Sequence, residues 1–140
     1  MADDYEKYEL ECNRIRKENI KLLKDFAQWL KNANLKDKTI RQHTENIDFY
    51  INEYLLYEDA VEAKDGTNCV DMFLGYWFIK KAMWSSSAQI KSNAASLKKF
   101  YTFLHQKGLI DSSELNQLKE TIKEEMPEWI ATMERYEENS

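Results

Sequence analysis

Glycine and proline are scarce here: three glycines and one proline in 140 residues. Tight reversals depend on these residues, so a many-stranded β fold is excluded. The two cysteines, Cys12 and Cys69, stand in no recognisable spacing. That predicts reduced thiols and no disulfide framework. The two histidines, His43 and His105, are far apart, and no ligand spacing joins them to the cysteines. No metal and no cofactor is expected. Long apolar runs are missing too. The longest, residues 70–79, is interrupted by Asp71 and is too short for a bilayer. The first twenty residues are charged throughout, unlike a signal peptide. Together these absences predict a cytoplasmic chain without membrane contact.

Catalytic patterns are equally sparse. The sequence holds no phosphate-binding glycine loop, no HExxH and no CxxC. No serine, cysteine or lysine stands beside an obvious base. The carboxylate pairs Glu124/Glu125 and Glu137/Glu138 fall in charged runs, which marks them as solvated faces. Neither an enzyme activity nor a small-molecule substrate is expected.

What is present is a core. Hydrophobic residues make up 43% and aromatics 13% of the chain. Helix formers dominate the long segments. The fold class read from this is all-α, a compact bundle of four to five helices. Residues 1–11 are read as a flexible acidic N-terminus and 12–111 as the helical domain. Residues 112–140 are read as a C-terminal helical extension with an acidic tail.

The helical repeat places Ile15, Leu22, Phe26, Trp29 and Leu30 on one face of a first helix ending near Asn32. Asp37 is the expected N-cap of a second, with Ile40, Thr44, Ile47, Ile51, Tyr54 and Leu55 facing inward. Thr67 or Asn68 should cap a third, whose stripe is Val70, Phe73, Leu74, Trp77 and Phe78. This third helix is apolar nearly all round. That marks it as central in the bundle, or as a surface for a partner. Ser85–Ser87 is a cap-rich turn before a fourth helix. There Ile90, Ala94, Leu97, Phe100, Tyr101 and Leu104 share one arc, and Gly108 suits a left-handed stop. Asp111-Ser-Ser-Glu114 has the pattern of a capping box. A fifth helix should follow with Leu115, Leu118 and Ile122, and Pro127 should break it or start a short last one.

Charge is unevenly spread. The net charge is −5, yet residues 72–110 contain no acid and six lysines. Residues 34–71 carry nine acids and four bases, and residues 111–140 nine acids and three bases. On the far side of the fourth helix, small Ala88, Ser92 and Ala95 alternate with Lys91, Lys98 and Lys99. Small side chains allow close approach to a polyanion, and lysines reach phosphates, with Ser92 and Thr102 as further donors. Near the starts of the second and fourth helices lie Lys36, Lys38, Thr39 and Arg41, and Ser85, Ser86, Ser87 and Gln89. Residue types alone leave a solvated lysine-rich face open beside a DNA-binding one.

The order of these motifs adds to the reading. LLKDFAQWLKNANLKDKTIRQHTENIDFYINEYL, a loop, an apolar helix and SSSAQIKSNAASLKKFYTFLHQKGLID follow one another. This order resembles the N-terminal core-binding domain of tyrosine recombinases and phage integrases. The resemblance covers roughly residues 20–111. It is carried by Phe26, Trp29-Leu30, Lys38-Thr39-Ile40, Leu97, Phe100-Tyr101, Phe103-Leu104 and Gly108-Leu109-Ile110. It implies a SAM-like helical bundle that holds duplex DNA through its second and fourth helices. By position, the implied DNA-binding residues are Lys38, Thr39, Arg41 and Gln42, with Ser87, Gln89, Lys91, Ser92, Lys98 and Lys99. The family's catalytic arginine, lysine, His-x-x-Arg and tyrosine have no counterpart. Position 46, three after His43, is Asn, and position 108, three after His105, is Gly. Glu45, Asp48 and Glu53 lie on the second helix's outer face, where DNA would lie. The expectation is a non-catalytic duplex-DNA-binding module in recombination or its regulation, with a recombinase or another protein as a possible partner. The alternative is a protein-interaction module built from Met72, Tyr76 and Ile79, from Phe49, or from Trp129-Ile130-Met133.

Overall fold

Local signals in the chain define five long helices in the computed structural model, which describes residues 3–139. Met1, Ala2 and Ser140, the outermost residues of the expected N-terminal segment and tail, lie outside the described residues. The helices are α1 (Asp4–Asn32), α2 (37–54), α3 (70–81), α4 (Ser87–Gln106) and α5 (Ser112–Glu138). No strand occurs among the described residues. The all-α expectation holds. The chain groups into two compact units, Met1–Gly66 and Thr67–Ser140. The boundary falls between residues 66 and 67, and α5 lies within the second unit.

In the first unit, α1 packs on α2. The helix starts at Asp4, well before residue 12, because Asp3 accepts from the Glu6 amide at 2.8 Å. Tyr8 then donates to the Leu56 carbonyl and packs on a small core of Cys12, Ile15 and Leu56. These contacts are distant in sequence, so composition alone reads residues 4–11 as frayed. Arg14 pairs with Glu11, Glu18 and Glu62, tying the loop after α2 to α1. The Arg14 guanidinium lowers the Glu11 carboxyl below its ordinary value.

The end of α1 is local chemistry. Asn34 takes φ 65°, its amide reaches Lys31 O at 2.9 Å, and the Leu35 amide reaches Leu30 O at 3.3 Å. Asparagine tolerates this left-handed stop better than most residues. Asp37 opens α2 but does not cap it. Lys36 is the flanking residue, with no side-chain cap, and the Asp37 carboxylate sits in the first turn where the helix dipole favours it.

The last part of α2, Phe49–Tyr54, is a π-helix. A π turn holds an extra residue and rotates every side chain after it. Tyr54, expected in the inward stripe, is therefore only half-buried, while Tyr50, three residues after Ile47 and absent from that stripe, is fully buried beside Ile51. The Tyr50 hydroxyl donates to Gly66 O at 2.7 Å. The widened turn also leaves the Ile51 carbonyl accepting from buried Asn19, which reaches Asn52 Oδ1 at 2.8 Å as well.

In the second unit the same device recurs at Phe73–Trp77 within α3. It brings Ile79 into the core and leaves Trp77 half-buried. Cys69, not Thr67 or Asn68, flanks the start of this helix. The α4 stripe is buried as expected, joined by Asn93, Ser96 and Phe103. Ser86 caps α4 by accepting from the Gln89 amide at 3.1 Å. Gly108 ends it at φ 79°, with the Leu109 amide on Leu104 O at 3.0 Å. An alanine Cβ at Gly108 meets no atom within 4 Å, so only backbone strain opposes it. Gly108→Ala is expected to cost about 1 kcal/mol, read from the urea midpoint.

The capping box at α5 is complete: the Glu114 amide donates to Asp111 at 2.8 Å and the Asp111 amide to Glu114 at 3.2 Å. Pro127 does not end this helix, although it removes one backbone donor. Tertiary burial on both sides carries the helix through. Ile122 is buried before it, and Trp129 and Met133 after it. Beyond Glu134 the tail remains helical to Glu138, with Arg135 donating to Glu128 and Thr132.

Candidate nucleic-acid interface

The candidate residues fall in both units, so each half stands by itself. In the second unit, α4 buries one arc and turns the other outward. Lys91 and Lys98 are exposed, and Ser92 and Lys99 are half-buried. A separation of seven residues returns Lys98 to nearly the azimuth of Lys91, about 10 Å further along the axis. Ala95 lies between them and Ala88 precedes them, so no bulky side chain screens this line. Among the described residues, none forms an ion pair with Lys91, Lys98 or Lys99.

The hydroxyls on this face are partly committed. The Thr102 hydroxyl donates to Lys98 O at 2.7 Å, and the Ser92 carbonyl accepts from the buried Ser96 hydroxyl at 3.1 Å. Thr102 is thus not the free donor that its type implies. Ser87 and Gln89 are half-buried in the first turn of α4. The Gln89 amide is taken by Ser86, and the Gln89 carbonyl accepts from Asn93 at 2.8 Å. Their backbone is held in place by the cap, which leaves the lysines as the cations of this face.

In the first unit, Lys38, Thr39, Arg41 and Gln42 are all exposed in the first turns of α2. The Gln42 amide donates to Asn46 Oδ1 at 3.1 Å. Asp37 stands in the same turn, and Glu45 and Asp48 are exposed further along. Asp48 accepts from Asn52 at 2.5 Å. The cations on α2 are therefore interleaved with acids, whereas those on α4 are not. Of the two halves, only α4 carries its cations without an acid on the same helix.

The aromatic surfaces also separate. Ile79, Trp129 and Met133 are buried and form core, so they offer nothing to a partner. Phe49 and Ile130 are half-buried. Met72 and Tyr76 are exposed on α3. Lys80 Nζ lies 5.6 Å from the Tyr76 ring centre and 5.9 Å from that of Tyr136, at the edge of a shallow groove between α3 and α5. Two residues with no periodic signal stand out instead: Met83 is 98% exposed and Trp84 54%. They lie between helices, where hydrophobic periodicity has nothing to say, and only their apolar type beside lysines and serines could have marked them.

Among the described residues no cluster of three or more histidine, cysteine or carboxylate side chains is arranged to hold a metal. No described helix is long and apolar enough to cross a membrane. No family model matches the chain, and neither a curated protein nor a solved structure matches it.

Proposed function

We propose that this chain is a non-catalytic duplex-DNA-binding module, related to the core-binding domains of recombinases and integrases, that acts in recombination or its regulation. One observation carries the reading: an exposed line of Lys91 and Lys98, flanked by Lys99, on a helix in an acid-free segment. Each lysine on a phosphate releases a counterion, so such a face gains affinity in proportion to the charges it neutralises. The motif order read from the sequence supports a SAM-like arrangement for the same segment. The site residues remain Lys91, Ser92, Lys98 and Lys99, with Ser87 and Gln89 positioning the start of α4. Lys38, Thr39, Arg41 and Gln42 form a weaker second patch, since Glu45 and Asp48 repel the same phosphates.

Fluorescence anisotropy with a random-sequence duplex at two salt concentrations tests the reading. Binding that weakens steeply with salt is expected. Absence of binding at low salt rejects it. The exposed pair Met72 and Tyr76 favours the second reading, a helical protein-interaction module. That reading predicts self-association or a protein partner, and no effect of α4 lysine changes on it.

A further inference from the structure

We propose that the turn between α3 and α4 is an insertion element, with Met83, backed by Trp84, entering a base step of bound duplex DNA. This rests on the DNA-binding reading above and adds a separate contact to it. Three observations carry it. First, Met83 is 98% exposed, so it contributes nothing to the core, and Trp84 beside it is 54% exposed. Second, the turn that presents them is built. The Ser85 amide donates to Ala82 O at 3.1 Å and the Ser85 hydroxyl to Ile79 O at 3.2 Å. Ala82 is buried, and the Trp84 ring meets Phe78 edge-on with centres 6.4 Å apart. The apolar tip is thus held out on a fixed base.

Third, the surroundings select the occupant. Lys80 and Lys81 precede the tip, Lys91 follows it, and the whole segment 72–110 lacks an acid. These cations attract an anionic surface to the tip. A bilayer favours several large apolar groups in one plane. On α4 itself the outward face adds Ala88, Ser92, Ala95 and Thr102 beside lysines and no large apolar group. A duplex needs one wedge and cations spaced to reach phosphates across a groove. Lys91 and Lys98, about 10 Å apart along the helix, are spaced to reach separate phosphates. Methionine is unbranched and polarisable, which suits entry between stacked bases, and such wedges unstack and kink DNA.

The test uses the full chain and a duplex carrying a fluorescent adenine analogue, with donor and acceptor dyes at its ends. The unaltered protein should raise the analogue's fluorescence and shorten the end-to-end distance. Met83→Ala should bind about tenfold more weakly with an unchanged salt slope, since no phosphate contact is lost, and should lose both signals. Met83→Lys adds a cation and should recover affinity without either signal. If Met83→Ala keeps both signals, or the unaltered protein binds without them, the proposal is wrong while the DNA reading stands. If Lys91→Glu/Lys98→Glu/Lys99→Glu binds DNA as the unaltered protein does, the α4 assignment itself fails. Met83-dependent sedimentation with phosphatidylserine–phosphatidylcholine vesicles, alongside Met83-independent DNA signals, would overturn the proposal in favour of a lipid surface.

Discussion

Replacing Trp129 with alanine is expected to cost about 3–5 kcal/mol, a large share of the roughly 5–15 kcal/mol that holds a domain folded. Trp129 is fully buried, and its indole N–H donates to Asp71 Oδ1 at 2.8 Å. It also fills the space above Gly75. A Cβ placed at Gly75 would lie 2.8 Å from Trp129 Cδ1 and 3.0 Å from Nε1. One side chain thus joins α5 to α3 by packing, by a hydrogen bond and by a glycine cradle. The cradle makes a sign reversal testable. Glycine within a helix normally gives way to alanine with a gain of about 0.5–1 kcal/mol. Here Gly75→Ala should instead destabilise, by about 1–3 kcal/mol, because the indole cannot retreat. In the Trp129→Ala background the same change should become neutral or stabilising. Urea unfolding of the four proteins in a double-mutant cycle measures the coupling. Additive effects would show that Gly75 and Trp129 do not meet as described.

The second large effect is on DNA affinity. Each phosphate neutralised on duplex DNA contributes about 0.9 to the slope of log affinity against log salt. If Lys91, Lys98 and Lys99 each reach one, together they contribute a slope of about 2.7 and a roughly 40-fold loss between 50 and 200 mM salt. Lys91→Glu/Lys98→Glu/Lys99→Glu should remove that slope and bring binding below detection at the higher salt. The urea midpoint should change little, because Lys91 and Lys98 are exposed and none of the three forms part of the core. Single Glu45→Gln and Asp48→Asn changes supply the opposite sign. Both acids are exposed on α2, and their removal should tighten binding if that helix also faces DNA. An unchanged affinity and slope in the triple variant would place the DNA-binding face elsewhere.

The parts of this protein that are legible in its sequence are those determined within one or two helical turns. The inward arc of α4, its Ser86 cap, its Gly108 stop and the Asp111–Glu114 capping box all depend on residues three or four apart. The cationic arc of α4 is legible for the same reason: once the apolar arc is placed, the lysines must lie opposite. The exposed α2 residues come out likewise, together with the acids that dilute them.

The features that local pattern misses have two physical origins, a change of helical geometry and contacts between residues distant in sequence. At Phe49–Tyr54 and Phe73–Trp77 the backbone widens to π geometry, and a count of 3.6 residues per turn no longer gives the facing of the side chains beyond it. Ile79 enters the core in consequence, and Tyr54 and Trp77 turn partly out. Residues 4–11 become helical through Tyr8 on Leu56, a contact across 48 positions. Pro127 is carried through α5 because Trp129 finds Asp71, 58 positions away. A proline costs about 3 kcal/mol in a helix interior, which local propensity counts and the burial of Ile122, Trp129 and Met133 offsets. The sequence by itself determined the all-helical class, most helix ends and the basic face. Only tertiary packing decided which aromatics close the core and that Met83 is left outside it, because burial is set by partners far along the chain.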